Sequence, residues 1–424
     1  MGLYAATSIG VGAMVGAGIF SIFGTAVKIS GNAVYVSFLI AGVVALLNAY
    51  SYAKLAVRYQ SAGGLVEFLL KGFGDGVLSG VFNLLLWVSY IFALALYSKG
   101  FSSYAVTFLP PGSAQVWEKV FATAIILTFT AINFIGAKAV GRSEIFIVSI
   151  KFGILLLFAA TGIVYMNTGN LSTSTWPASK SILFGAGMVF LAYQGFELIT
   201  NAAEDISNPE ITLPRALYLS IALVIFIYVS VSLAVIGNLS IPEIENSKDY
   251  VLAAAAKPFL GDIGFKIMAL AALVSTSSAI NAALYGGANI SYILAKEGCL
   301  PMFFERKIWK RGAEGLFITS GLVILVSNSL PREGIGMLVS TSILIIYLAV
   351  NASHLRLLRE TGAKRWVIQT SFLSNLIFLG VLVYYEFVNS KLILELLTIT
   401  ILFCFSVEWI YRKSSGRSIK ERTD

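Results

Sequence analysis

Histidine occurs once and cysteine twice in 424 residues, and only 12% of the chain is charged. The lone imidazole, His354, stands beside Arg356 at the end of an apolar run, which leaves general-base catalysis almost no material. Cys299 falls in a loop and Cys404 inside an apolar run, so they are not expected to pair, and their spacing suits no metal. An intramembrane serine protease needs a base near its serine, and a metal or prenyl-type enzyme needs acidic or histidine clusters facing one cavity. Neither pattern occurs. The chain is therefore expected to be no enzyme and to carry no metal or cofactor.

Polar linkers and a charged leader are missing as well. Connections between apolar runs are short, which excludes an attached soluble domain. Met1 leads almost directly into apolar sequence without the basic region of a signal peptide, so the first run is expected to be retained. The near absence of residues before it leaves a trimmed start open. Ala6 stands where myristoylation requires Ser or Thr.

What is present is apolar: 57% of residues are hydrophobic, with a mean hydropathy of +0.83. At roughly 20 residues per crossing this predicts an all-α integral membrane protein of about twelve spans, at 3–28, 32–57, 75–108, 116–134, 144–167, 181–204, 211–238, 263–294, 314–330, 335–354, 364–386 and 391–411. The net charge of +8 would suit nucleic acid, yet Lys and Arg gather in alternate loops (among them Lys54, Arg58, Lys71, Lys138, Arg142, Arg306, Lys310, Arg311 and Arg356) and in a basic tail over 412–424. That is the pattern of membrane topology. Both termini are expected in the cytoplasm and the protein in the cell membrane. The lipid bilayer and a small-molecule substrate are its expected partners, with no nucleic acid and no obligatory protein partner.

Span 3–28 contains Gly16-Ala17-Gly18 within GVGAMVGAGIF, and span 181–204 contains Tyr193-Gln194-Gly195 within GAGMVFLAYQGFE. Glycine weakens a helix, and irregular backbone at membrane depth survives only around a protein-lined cavity. Gly12 and Gly16 also form GxxxG, a signature of close helix packing. The answering interruption five spans on favours a break in both. Two broken helices so placed predict related halves of opposite orientation, 1–167 and 181–354, followed by two further helices over 364–411.

A broken helix bares amides at one half-helix end and carbonyls at the other, with the dipole adding positive charge at the amides. A zwitterion matches that pattern. Amides around Gly16, Ala17, Gly18 and Ile19 would hold a carboxylate, and carbonyls of Met14, Phe190 and Leu191 an ammonium group. Tyr193 stands in the second break. Glu197 follows it as gate, second proton site or structural acid, with the three roles open.

Lys151 lies about 10 Å into span 144–167, at a rise of roughly 1.5 Å per residue. An intramembrane lysine costs on the order of 2.5 to 3.5 kcal/mol at mid-depth and marks an ion or proton pathway, unless it snorkels to the surface. Burial disfavours a charged amine, which brings proton release within physiological reach.

Three segments, VGAMVGAGIF, FLAYQGFELITNAAEDISNPEITLPRAL and STSSAINAALYGGANISYILAKEG, together resemble the amino acid-polyamine-organocation permeases, and the likeness covers nearly the whole chain. NFIGAKAVGRSEIFIVSIK, from Asn133 to Lys151, is similar to the archaeal proton-coupled, broad-specificity members. The resemblance implies a LeuT-type five-plus-five inverted repeat with discontinuous helices one and six and two appended helices. It implies that Lys151 takes the place of the sodium ion that bridges spans one and eight in sodium-coupled relatives. Its partners would be the carbonyls of Gly12 and Val15 and the hydroxyls of Ser277 and Ser278. Phe190 would lie over the substrate as a lid.

The function expected is secondary active transport: sodium-independent, proton-coupled symport of amino acids by alternating access. Gly195, Ala17 and their aliphatic neighbours point to neutral substrates, and the particular amino acids stay open. Amino-acid exchange and sodium symport are the alternatives among carriers. A channel would need a selectivity filter or a charged ring, and neither is present in the sequence.

Overall fold

The computed structural model describes residues 1–61, 63–110, 114–135, 140–296, 298–308 and 312–415, and of Ala17, 114–115, 140–145, Met302, Glu305, 307–308, 312–313 and 414–415 the backbone alone. Lys138, Lys310, Arg311 and the tail from 416 onward lie outside the described residues. Helices follow one another as α1 (Leu3–Ser30), α2 (Val34–Arg58), α3 (Leu65–Phe73), α4 (Val77–Val106), α5 (Ala114–Ile135), α6 (Val140–Tyr165), α7 (Ser179–Val189), α8 (Leu198–Asn201), α9 (Pro209–Asn238), α10 (Ile241–Asn246), α11 (Val251–Lys296), α12 (Glu314–Ser329), α13 (Arg332–Arg356), α14 (Leu358–Thr361), α15 (Arg365–Asn389) and α16 (Lys391–Ser415). The β pairing among the described residues is one two-residue ladder, Lys307 opposite Ala313 and Ile308 opposite Gly312.

Among the described residues, 10 stretches are long and apolar enough to cross a membrane. One runs from Gly18 through α2 to Arg58, and Leu3–Gly16 and Glu314–Ser329 are shorter apolar helices. The helices α1, α2, α4, α5, α6, α7 with α8, α9, α11, α12, α13, α15 and α16 answer the expected spans one for one. Three features were not expected. The loop before α4 contains the buried amphipathic α3, a short α10 precedes α11, and α11 starts before Gly261, where φ of 63° kinks it.

The expected break in the first span is not there. α1 is helical from Leu3 to Ser30, and its glycines serve close approach instead. A Cβ on Gly16 would lie 2.4 Å from the Ala279 Cβ of α11, and one on Gly18 2.7 Å from the Ala192 Cα. A glycine costs a helix interior about 0.5–1 kcal/mol, which close backbone packing between membrane helices offsets. The second break is present. α7 ends at Val189, a 3-10 turn covers Phe190–Tyr193, Gln194 is extended with ψ of 137°, and the chain turns helical again only at Leu198.

At the centre, α1 packs against α6, α7, α9 and α11, while α2 lies along α9 and α4 contacts both α11 and α13. The appended α15 is fastened by amides. Asn48 Oδ1 of α2 accepts from Asn351 Nδ2 of α13 at 2.9 Å and from Asn375 Nδ2 of α15 at 2.8 Å, and all three residues are buried. Polar bonds of this kind hold helices together where lipid removes the hydrophobic drive between them.

One end of the bundle is closed by ion pairs. Arg332 of α13 reaches Asp249 at 2.9 Å and Glu118 of α5 at 3.8 Å, and donates to the Lys99 carbonyl of α4 at 2.7 Å. Nearby, Lys248 donates to Glu333 at 2.9 Å, and that bond holds the Lys248 ammonium above the usual lysine range.

Candidate functional site

The site is built where α7 unwinds. Gly195 has φ of 117°, a conformation at little cost for glycine alone, and it turns the chain so that Glu197 folds back over the break. Glu197 is 1% exposed. Its Oε2 accepts from the Gly195 N–H at 2.8 Å and from the Tyr347 hydroxyl of α13 at 2.9 Å. Its Oε1, and Gln194 Oε1 beside it, have no hydrogen-bond partner among the described residues. A buried carboxylate oxygen in that position is costly unless a donor meets it.

Both residues line a cavity of ≈ 20 Å³ that is closed by Ala13 of α1, Tyr90 and Tyr97 of α4, and Ala279 and Ala283 of α11. That space admits about one water. An amino acid enters only if these walls move.

The carbonyls of α1 on this side are engaged by side chains from three other helices. Lys151 of α6 is 2% exposed, and its Nζ donates to the Gly12 carbonyl at 2.7 Å. The Val15 carbonyl accepts from the Ser275 hydroxyl of α11 at 3.0 Å. The Tyr228 hydroxyl of α9 lies 2.6 Å from the Met14 carbonyl and 3.1 Å from the Ala192 carbonyl, so its proton bridges α1 to the break. Three successive tethers therefore hold one turn of α1 to α6, α9 and α11. Lys151 accordingly lies at depth and does not snorkel.

The sequence-predicted residues fall as follows. Lys151 and Gly12 come together, whereas Val15 is met by Ser275. Ser277 and Ser278 are half-buried, and neither hydroxyl is hydrogen-bonded among the described residues. Gly16 and Gly18 abut α11 and the break, Ile19 is fully buried, and the side chain of Ala17 lies outside the described ones. The Leu191 carbonyl accepts from the Gln194 N–H at 3.0 Å inside the turn. Tyr193 donates to the Phe38 carbonyl of α2 at 2.7 Å. Phe190 is 1% exposed and packs edge-on against Tyr347 and Phe378, with centroids 5.6 and 5.8 Å away, outside the lining of the small cavity.

Ser275, Tyr228 and Tyr347 were not foreseen. Only Ser275 had a signal, because Ala272, Ser275, Ala279 and Ala283 form a stripe of small residues at helical spacing on α11. A tyrosine in mid-span has no such mark in the sequence.

A predominantly helical chain with this many crossings, one helix unwound at a small cavity lined by Glu197 and Gln194, and a buried lysine bonded to the neighbouring turn of α1, has the make-up of a membrane carrier. The profile of the amino acid permease family matches residues 1–407. The chain belongs to that family, whose members are membrane transporters and not enzymes. It is 41% identical to the uncharacterized protein MJ0609 of Methanocaldococcus jannaschii, over 99% of this chain and 96% of that one. It is 35% identical to the inner membrane transport protein YbaT of Escherichia coli, over 86% of this chain and 85% of the other. To the methylthioribose transporter of Bacillus subtilis it is 30% identical, over 71% and 68% respectively.

Proposed function

We propose that this amino acid transporter is a sodium-independent, proton-coupled symporter of neutral amino acids, akin to the archaeal proton-coupled members of its family. The observation that carries the proposal is the contact of Lys151 Nζ with the Gly12 carbonyl, 2.7 Å long and buried. The ammonium occupies the place that the family resemblance gives to a sodium ion in sodium-coupled relatives, and unlike that ion it can give up its charge by releasing a proton. Protonated Lys151 ties α6 to α1. Its deprotonation toward the cytoplasm frees Gly12 and loosens that turn of α1, which permits release of the substrate on the inner side.

The substrate site comprises Gly16, Ala17, Gly18 and Ile19 of α1 with Met14, Phe190, Leu191, Tyr193 and Glu197. For the amides of Gly16, Ala17 and Gly18 to meet a carboxylate, that turn of α1 has to open, a change that two mid-helix glycines ease. The ammonium group meets acceptors at the break in span six. In this scheme 1–167 and 181–354 are inverted halves that rock against each other, 364–411 is an appended pair of spans, and both termini are cytoplasmic.

The test is uptake into proteoliposomes of a panel of radiolabelled amino acids, at two pH gradients and with or without sodium. The expected result is accumulation above equilibrium driven by an inward proton gradient, collapsed by a protonophore and unchanged when sodium is withdrawn. Uptake that requires sodium, or flux only against a preloaded amino acid, would overturn the proposal.

A further inference from the structure

Away from the small cavity, a second one of ≈ 490 Å³ opens at the end of the bundle opposite Arg332, lined by Tyr50, Lys54 and Arg58 of α2, Glu210 and Tyr218 of α9, and Glu360 of α14. Ligand sites run to about 300–1,000 Å³, so this space is of the right size for a ligand. Among the described residues, Lys54, Arg58 and Glu210 are in no ion pair. Arg58 lies over the Tyr59 ring, 5.7 Å from its centroid, and two cations and an anion therefore share one cavity without an ion pair among the described residues to neutralise them.

Its surroundings say what kind of ligand reaches it. On α2, Leu39 and Val43 are 47% and 51% exposed, and Tyr50 and Lys54 continue the same stripe at helical spacing. On the adjoining α9, Phe226 and Leu219 are exposed along the approach to Tyr218. An exposed apolar surface on two candidate membrane spans thus ends at a charged cavity flanked by two tyrosines, residues that favour the membrane interface.

We propose that this cavity holds the headgroup of a membrane phospholipid bearing both a phosphate and a primary amine. Lys54 and the Arg58 guanidinium take the phosphate, for which a guanidinium is shaped and a lysine serves as a point charge. Glu210 and the free oxygen of Glu360, whose Oε2 accepts from Tyr59 at 2.6 Å, take the ammonium. A quaternary ammonium has no N–H to give these carboxylates, so the site discriminates against choline. The lipid also abuts a joint between helices. Thr361 of the cavity wall lies 2.9 Å from His354 Nε2, and His354 Nδ1 lies 2.7 Å from the Ser51 hydroxyl of α2.

The experiment is native mass spectrometry of the purified full-length protein with phosphatidylethanolamine, phosphatidylcholine and phosphatidic acid, and with soluble glycerophosphoethanolamine as competitor. The wild type should retain phosphatidylethanolamine over phosphatidylcholine. Lys54→Gln with Arg58→Gln should lose retention of both roughly tenfold, since each juxtamembrane cation contributes appreciably to headgroup binding. Glu210→Gln should erase the preference for ethanolamine while still binding phosphatidic acid, and Lys248→Gln at the other end should change nothing. Lys54→Gln alone serves if the double variant does not fold. Retention unaltered by the Lys54 and Arg58 changes, a preference that survives Glu210→Gln, or displacement by the soluble headgroup would overturn the assignment, the last by making the ligand a free solute. None of these outcomes depends on whether transport is driven by protons.

Discussion

Two membrane helices of this protein carry glycine-rich interruptions in sequence, and only one is interrupted in space. α1 keeps its coil through Gly16-Ala17-Gly18, while α7 loses its own at Phe190 and does not regain it until Leu198. The difference lies in what stands beside the glycines. In α1 the neighbours are apolar, and the missing side chains let α11 and the Ala192 backbone come close. In the sixth span Gly195 takes a positive φ, and Glu197 Oε2 caps the freed Gly195 N–H. A glycine permits a break. A polar group that satisfies the bared backbone makes one.

The comparison can be broken first at Gly195. Gly195→Ala would place a Cβ 2.6 Å from the Ala13 Cβ at a φ of 117°, and should cost about 2–5 kcal/mol from strain and overpacking together. Gly16→Ala meets a comparable clash with Ala279 but no backbone strain, and should cost about 1–3 kcal/mol. Thermal unfolding in detergent distinguishes them through rescue. Ala279→Gly should restore most of what Gly16→Ala loses, whereas Ala13→Gly should restore only the overpacking share of the loss from Gly195→Ala and leave the backbone strain. Equal rescue at both sites would mean that the two glycines do the same thing.

A smaller effect sharpens the account of the α1 tethers. Ser275→Ala removes the donor to the Val15 carbonyl and should lower stability by about 0.5–1.5 kcal/mol. Ser277→Ala and Ser278→Ala should each fall within about 0.5 kcal/mol of wild type. Melting curves of the three single variants, side by side, check the order. A larger loss at Ser277 would return the contact to the serine expected from resemblance.

The order and extent of the spans could be read from hydropathy because a length near 20 apolar residues has one use in a bilayer. The partnership of Lys151 with Gly12 was legible only through the resemblance to the family; from the residues alone, a charge at that depth says that it needs a partner and not which one. The continuity of α1 was not legible, since GVGAMVGAGIF serves a break and a tight packing face equally well until the neighbour on α11 is known. Tyr228 and Tyr347 escaped because their hydroxyls act across some 200 and 150 residues of sequence, |i−j| being 214 for Tyr228 to Met14 and 150 for Tyr347 to Glu197. No local pattern encodes such a bond. The amphipathic α3 was overlooked inside a loop because its nine residues fall well short of a crossing.

The proposed role of the Lys151 ammonium on the Gly12 carbonyl, as the proton-linked cation of the transport cycle, stands or falls with Lys151→Ala reconstituted in liposomes under an inward proton gradient. Uptake is expected to drop to that of protein-free vesicles in a variant that still folds. Undiminished uptake that still rises with the proton gradient would contradict it.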